Sequence, residues 1–174
     1  MATQERSAHL TAVSSRAALR ADALSAGIAV FALYHLALAL FMVAFPHSFY
    51  AHVGPFGARN DHYIRDTATF SAAIGAGLAV SLRRPSWRVP ALAIATVQFA
   101  LHSANHLVDI DKAHPAWNGY FDFFSLAAAT LVLAWLLGTA VARARELRST
   151  PARSAYRTPE ARGQVSLSDD HERS

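Results

Sequence analysis

The stretch LSAGIAVFALYHLALALFMVAF, residues Leu24–Phe45, holds 22 residues without an aspartate, glutamate, lysine or arginine. A helix rises about 1.5 Å per residue, so about 20 such residues cross a hydrocarbon core of roughly 30 Å. Three further, largely apolar stretches of similar length follow it, at Ile64–Leu82, Val89–Val108 and Tyr120–Ala140. We therefore predict an all-α integral membrane protein, a four-helix bundle that crosses the membrane four times.

The composition supports a membrane protein and excludes some kinds of site. Of 174 residues, 53% are hydrophobic and only 16% are charged, which is too apolar for an ordinary soluble domain. The chain has no cysteine, so structural disulfides and thiolate metal sites are excluded. The first apolar run is longer than the roughly 7 to 15 residues of a cleavable signal, so we interpret it as a retained span.

The chain divides into one membrane domain and two tails. Residues 1–23 are interpreted as a cytoplasmic N-terminal tail. A short helix on the membrane surface is one conformation that this tail could adopt. Residues 24–142 form the predicted four-span domain. Residues 143–174 are interpreted as a cytoplasmic tail, and the Arg, Ser, Pro and acidic residues after about Ser149 predict disorder there.

Basic residues set the predicted orientation in a plasma membrane. Nine arginines flank one side of the four spans and three basic residues flank the other, which places both termini in the cytoplasm. The net charge of +4 then reflects anchoring at the inner leaflet and not nucleic-acid binding. The nine are Arg6, Arg16, Arg20, Arg83, Arg84, Arg88, Arg143, Arg145 and Arg148, and the three are Arg59, Arg65 and Lys112.

Acidic residues and histidines between residues 23 and 142 collect on the opposite, outer side. All five aspartates and six of the seven histidines lie at outer span ends or in outer loops: Asp61, Asp66, Asp109, Asp111, Asp122, His47, His52, His62, His102, His106 and His114. Only His35 lies near the middle of a span. A lone histidine on an apolar helix is typical of a core side chain bonded to a backbone carbonyl, and we expect that of His35.

Helical spacing groups the outer polar residues into three faces. These are Gln98, His102, Asn105, His106 and Asp109 in the third span, His62, Arg65, Asp66 and Thr69 in the second, and Asn118, Asp122 and Ser125 in the fourth. Ionisable groups at membrane depth usually face the bundle interior or water. We therefore predict that the three faces converge in one polar pocket near the outer surface, with Arg65 balancing the aspartates.

Metal ligation is the first chemistry that this pocket suggests. His62 with Asp66, and His102 with His106, each place two ligand side chains one helical turn apart. That spacing suits a divalent transition metal such as zinc, iron or manganese. Further ligands, or partners that orient the imidazoles, are Asp109 and Asp122.

Three other interpretations stay open. Acid–base chemistry without a metal would draw on His62, Arg65, Asp66, His102 and His106 as catalytic candidates. A haem between His35 and His102 or His106 ranks lowest, since His35 lies about 6 to 10 Å deeper by the helical rise. The polar residues could instead fix the bundle, each contact contributing about 1 kcal/mol.

The functional hypothesis is a metal-binding or acid–base site for a small or lipid-like molecule on the extracytoplasmic side. The alternative is a non-enzymatic accessory subunit of a membrane complex. The predicted partners are the lipid bilayer and either another membrane protein or further copies of the chain. In the second span, the small residues Ser71, Gly75 and Ala79 recur every four positions and predict the close approach of another helix.

Short motifs carry a family resemblance. Phe45-Pro46 closes the first span, Asn60-x-His62-x-x-Arg65-Asp66 opens the second, and His102-x-x-x-His106 lies in the third. Over roughly residues 24 to 140 the chain resembles small uncharacterised bacterial membrane proteins with four spans, and is similar in outline to the DoxX-like group. The resemblance implies the four-helix fold and no agreed activity.

Overall fold

The computed structural model describes residues 2–149, with side chains from residue 22 onward, and its regular structure is helical. The helices are α1 (Ala2–Ala44), α2 (Pro46–His52), α3 (Asp61–Arg83), a 3-10 turn (Pro85–Trp87), α4 (Arg88–Val108) and α5 (Trp117–Ser149). Within residues 2–149 there is no strand, although an isolated antiparallel bridge pairs Phe56 with Ala113. The predicted all-α class is confirmed.

Each predicted span corresponds to one long helix, apart from Phe45, which lies one residue beyond α1. Helix α1 continues back to Ala2, and α5 continues to Ser149, so both helices extend into the segments interpreted as tails. The disorder predicted for the end of the chain concerns residues 150–174, which lie outside the described residues.

Two segments are long and apolar enough to cross a membrane. They are Asp22–Ala44 and Trp117–Ser149, in which an 18-residue window has a mean hydropathy of 2.2 and 2.0, respectively. Helices α3 and α4 do not meet the same criterion among the described residues, because each interrupts its apolar sequence with polar side chains. The described part is therefore an all-helical protein with two candidate membrane spans.

Local sequence explains where the helices begin and end. Helix α1 ends at Ala44, and Pro46 is the first residue of α2, where the missing N–H of proline costs nothing. Helix α3 begins after Asn60, whose side-chain oxygen accepts hydrogen bonds from the backbone N–H groups of His62 and Tyr63 at 3.0 and 3.3 Å. This is a side-chain cap on groups that have no partner within the helix.

The long helices pack chiefly in two pairs, α1 with α3 and α4 with α5. The two pairs share one apolar core, whose fully buried members include Leu24, Ile28, Leu78, Leu92, Leu133 and Leu136. Gly75 of α3 lies directly against α1, since a Cβ atom there would be 2.9 Å from Leu36 Cγ and 3.0 Å from His35 Cβ. The close approach predicted from the small residues of α3 is confirmed, and its partner is α1.

Candidate functional site

A crevice of about 150 Å³ lies where α1, α3, α4 and α5 meet. Its walls are mainly apolar and aromatic, with Phe99 and Leu126 among them. Into these walls α1, α3 and α4 insert a small set of polar side chains, namely Tyr34, His35, Thr67, Ser71, Gln98 and His102. A few polar groups in an apolar cavity are typical of a small-molecule site.

His35 is the most deeply buried polar residue in the crevice wall, with 3% of its surface exposed. Its Nδ1 lies 3.0 Å from Ser71 Oγ, and the Ser71 hydroxyl donates to the backbone carbonyl of His35 at 3.1 Å. A hydroxyl has one hydrogen, so with that hydrogen on the carbonyl the Ser71 oxygen accepts from the ring Nδ1–H. The neutral ring therefore keeps a free lone pair on Nε2. We expected the ring of His35 to hydrogen-bond to a backbone carbonyl. In the structure the ring contacts the Ser71 hydroxyl, and it is this hydroxyl that donates to a backbone carbonyl.

Two acceptor atoms in the crevice wall lack partners. Neither Nε2 of His35 nor Oε1 of Gln98 has a hydrogen-bond partner among residues 22–149. Leaving a buried polar atom unpaired costs about 1 to 3 kcal/mol, so a hydrogen-bond donor at either atom would be stabilising. The ring of His35 is held edge-on by Phe99 and Tyr34, with ring centroids 5.4 Å away in both cases. The free nitrogen is thus fixed in orientation.

A second polar group lies where α4 meets α5. The rings of His102 and His106 are 4.7 Å apart, and His106 Nδ1 lies 3.9 Å from Asp122 Oδ2. Phe56 from the loop before α3 covers His106, with its ring 4.9 Å away. The structure thus brings together two of the three predicted faces. At 3.9 Å the pair does not share a proton directly, since direct transfer needs about 3 Å.

The third predicted face, on α3, lies apart from this group. His62 and Asp66 contact each other at 3.4 Å and are exposed, and no hydrogen bond, ion pair or ring contact joins them to α4 or α5 in the described part. The buried face of α3 runs through Ala68 and Ser71. Asp66 is two residues from Ala68, about 200° around the helix, and so points away from the bundle.

Arg65 and Asp109 also differ from their predicted roles. Arg65 is exposed and, within the described residues, makes no hydrogen bond or ion pair with an aspartate. Asp109 is the C-cap residue that follows α4, and it accepts a hydrogen bond from Lys112 Nζ at 2.6 Å. This bond raises the pKa of Lys112 above its ordinary value. Asp109 therefore pairs with a lysine in the loop and not with a histidine.

The geometry offers little to a metal or a haem. Among residues 22–149, no three of the His, Asp and Glu side chains lie together in a way that could hold a metal ion. A crevice of about 150 Å³ is smaller than the roughly 300–1,000 Å³ of sites for drug-sized ligands and has no room for a haem. The metal-ligand set predicted from the sequence stays a prediction.

From the sequence we expect His35 to be a core residue, and we rank its role as a haem ligand lowest. Nothing in the sequence indicates Tyr34 or the hydroxyl of Ser71 as part of the site. One signal was present, because a single ionisable residue inside an otherwise apolar span is itself a pointer to function. Ser71 belongs to the row of small residues that predicts the close approach of another helix. A contact between Ser71 and a neighbouring helix was therefore predictable.

Comparison with known proteins identifies no matching protein family, no similar curated protein and no similar solved structure.

Proposed function

We propose that this chain is a plasma-membrane protein with four spans and cytoplasmic termini that binds a small, partly apolar molecule in the crevice around His35. The ligand carries an O–H or N–H group, enters from the extracytoplasmic side, and donates a hydrogen bond to Nε2 of His35. The unpartnered Nε2 atom, almost fully buried and held by Ser71, is the observation that carries the proposal.

Exposed apolar side chains support the placement of all four long helices in lipid. One example from each is Leu33 of α1 at 70% exposed, Phe70 of α3 at 70%, Leu101 of α4 at 67% and Leu131 of α5 at 72%. Such surfaces on a soluble monomer would be costly, whereas lipid accommodates them. The lower hydropathy of α3 and α4 fits this placement, because several of their polar side chains line the crevice between the helices.

Single cysteines test the orientation cleanly, because the chain has none of its own. The nine-to-three basic asymmetry predicts that cysteines replacing Gly57 and Lys112 react with an impermeant maleimide added to intact cells. A cysteine replacing Arg84 should react only after the membrane is opened. Labelling at Arg84 but not at Lys112 in intact cells would reverse the orientation and move the crevice mouth to the cytoplasm.

The crevice dictates the size and chemistry of its ligand. A cavity of about 150 Å³ holds a molecule of the size of benzene. The aromatic rings of Phe99 and Tyr34 favour a flat, apolar body, while Nε2 of His35 requires a hydrogen-bond donor. The amide of Gln98 offers a second polar contact. A small aromatic or alicyclic alcohol or amine satisfies these requirements.

Paired probes test this assignment directly. We expect 4-fluorophenol to bind the purified protein in detergent more tightly than fluorobenzene, as measured by fluorine NMR after correction for partition into protein-free micelles. One hydrogen bond contributes about 0.5–1.5 kcal/mol, which corresponds to a preference of roughly 2- to 12-fold.

His35→Leu should abolish the preference, and the control His62→Leu should keep it because His62 lies outside the crevice. Equal affinities for the two probes in the wild-type protein, or a preference that survives His35→Leu, would refute the binding site. A protein that copurifies with a larger complex and binds neither probe would favour the accessory-subunit alternative instead.

A further inference from the structure

A second cavity, quite different in chemistry, lies on the outside of the bundle between α3 and α4. This α3–α4 groove has a volume of about 430 Å³ and is lined by Ala73, Ile74, Gly77, Trp87, Pro90, Ala91 and Ile94. Its volume falls within the roughly 300–1,000 Å³ of small-molecule sites. The lining is apolar apart from the indole N–H of Trp87. The groove therefore suits a hydrocarbon chain better than a polar ligand.

Gly77 gives the groove its depth. A Cβ atom built on Gly77 meets nothing within 4 Å, so no neighbouring side chain fills the space over this residue. Gly75, two residues earlier on the same helix, lies against α1 instead. Helix α3 thus presents one glycine to its packing partner and the other to the groove.

One end of the groove is strongly basic. Arg83 ends α3, Arg84 follows it, and Arg88 begins α4 directly after the groove residue Trp87. Within the described residues Arg83 and Arg84 have no ion-pair partner, while Arg88 Nε donates to the backbone carbonyl of Ser81 at 3.3 Å. Three guanidinium groups without a carboxylate favour a phosphate, which accepts paired N–H donors.

We propose that the α3–α4 groove binds an anionic phospholipid of the inner leaflet, with an acyl chain along the groove and the phosphate at Arg83, Arg84 and Arg88. The inference rests on the four-span placement proposed above and is independent of the crevice around His35. Basic sites between membrane helices on the cytoplasmic side are suited to anionic headgroups. In that four-span placement Trp87 falls at the cytoplasmic interface, where indole rings are favoured.

Charge disfavours a second copy of the chain as the occupant. Two copies related by a two-fold axis along the membrane normal would bring the same surfaces of both copies together. A contact through this groove would then place the arginine clusters of the two copies beside each other, at a cost in repulsion. A lipid phosphate instead neutralises the cluster.

Thermal unfolding of the purified protein in detergent tests the proposal. Phosphatidylglycerol should raise the unfolding temperature more than phosphatidylcholine with the same acyl chains, and inorganic phosphate alone should not. Arg83→Gln combined with Arg84→Gln should weaken the apparent affinity for phosphatidylglycerol about 30-fold, because each arginine near an anionic surface contributes about 1 kcal/mol.

Filling the groove provides an independent variant. Gly77→Leu places a side chain in open space and should remove the phosphatidylglycerol effect without lowering basal stability. The controls are Gly138→Leu, which also points into open space but lies on α5, and Arg65→Gln at the other end of α3. Both should respond to phosphatidylglycerol like the wild-type protein.

Several results would overturn the lipid site. The first is an equal rise in unfolding temperature with phosphatidylglycerol and phosphatidylcholine. The second is a phosphatidylglycerol effect that persists in Gly77→Leu, and the third is a change in oligomer mass caused by Gly77→Leu. Alkaline carbonate extraction of cell membranes, performed first, separates this inference from the proposed function. Release of the chain by carbonate would overturn both, whereas a retained chain without a lipid preference would overturn the lipid site alone.

Discussion

Replacing Gly75 with alanine should destabilise the bundle, whereas the same change at Gly77 should not. At Gly75 the new Cβ atom would lie 2.9 Å from Leu36 Cγ and 3.0 Å from His35 Cβ, closer than ordinary van der Waals contact. At Gly77 it would meet nothing within 4 Å. The two positions lie in the middle of one helix, so they gain the same helix propensity and differ in packing.

The magnitude follows from these two terms. Exchanging glycine for alanine inside a helix gains up to about 1 kcal/mol. Adding a methyl group to a tightly packed contact typically costs about 1–3 kcal/mol. Gly77→Ala should therefore be neutral or stabilising, and Gly75→Ala should be less stable than Gly77→Ala by about 1–3 kcal/mol.

Reversible unfolding in mixed micelles, with helicity followed by circular dichroism, measures the difference directly. Because both variants carry the same substitution, the propensity gain and any effect on the unfolded state cancel in the comparison. Equal free energies of unfolding for the two variants would refute the close packing of α1 on α3, and with it the position of His35 beside Ser71.

Three further predictions concern the ends of the helices. Gly119→Ala should lower the unfolding temperature sharply, because a Cβ atom there would overlap the backbone oxygen of Ile110. Asn60→Ala should cost about 1 kcal/mol of unfolding free energy through loss of the helix cap. The pKa of Lys112 is raised in the folded protein, so its ion pair with Asp109 stabilises fully below pH 10.5 and is lost as the pH rises through the raised pKa. Wild-type stability should therefore fall more steeply than that of Asp109→Asn in alkaline solution.

The positions of the helices were predictable because length and hydropathy are local properties. Each apolar run of about 20 residues became one helix, and Pro46 marks the end of the first. The row containing Ser71 and Gly75 was also informative, since small residues permit close packing whichever helix is the neighbour. The identity of that neighbour, α1, depends on the tertiary arrangement.

The composition of the site was harder to predict because it depends on how each helix is rotated. The spacing of His62 and Asp66 shows that they share a face, but not which way that face points. In α3 the small residues face the interior of the bundle, and His62 and Asp66 are exposed. On α4 the corresponding face does turn inward, so His106 meets Asp122.

His35 illustrates a second limit. Its partner Ser71 is 36 residues away, and no local pattern links the two. Which nitrogen of the His35 ring carries the proton follows from two hydrogen bonds with Ser71. Both bonds form only when α1 and α3 are packed together. Sequence can therefore mark a buried histidine as unusual, but it cannot tell which of its nitrogens is free.

The nitrogen NMR spectrum of the His35 imidazole shows whether Nε2 is free to accept a hydrogen bond from a ligand. In protein labelled with ¹⁵N-histidine and held in micelles, the His35 signals are those missing from the His35→Leu variant. We expect Nδ1 to carry the proton and Nε2 to be unprotonated, and the Nε2 resonance to shift upfield when 4-fluorophenol is added. A ring protonated at Nε2, or an Nε2 resonance that the phenol leaves unchanged, would contradict the account.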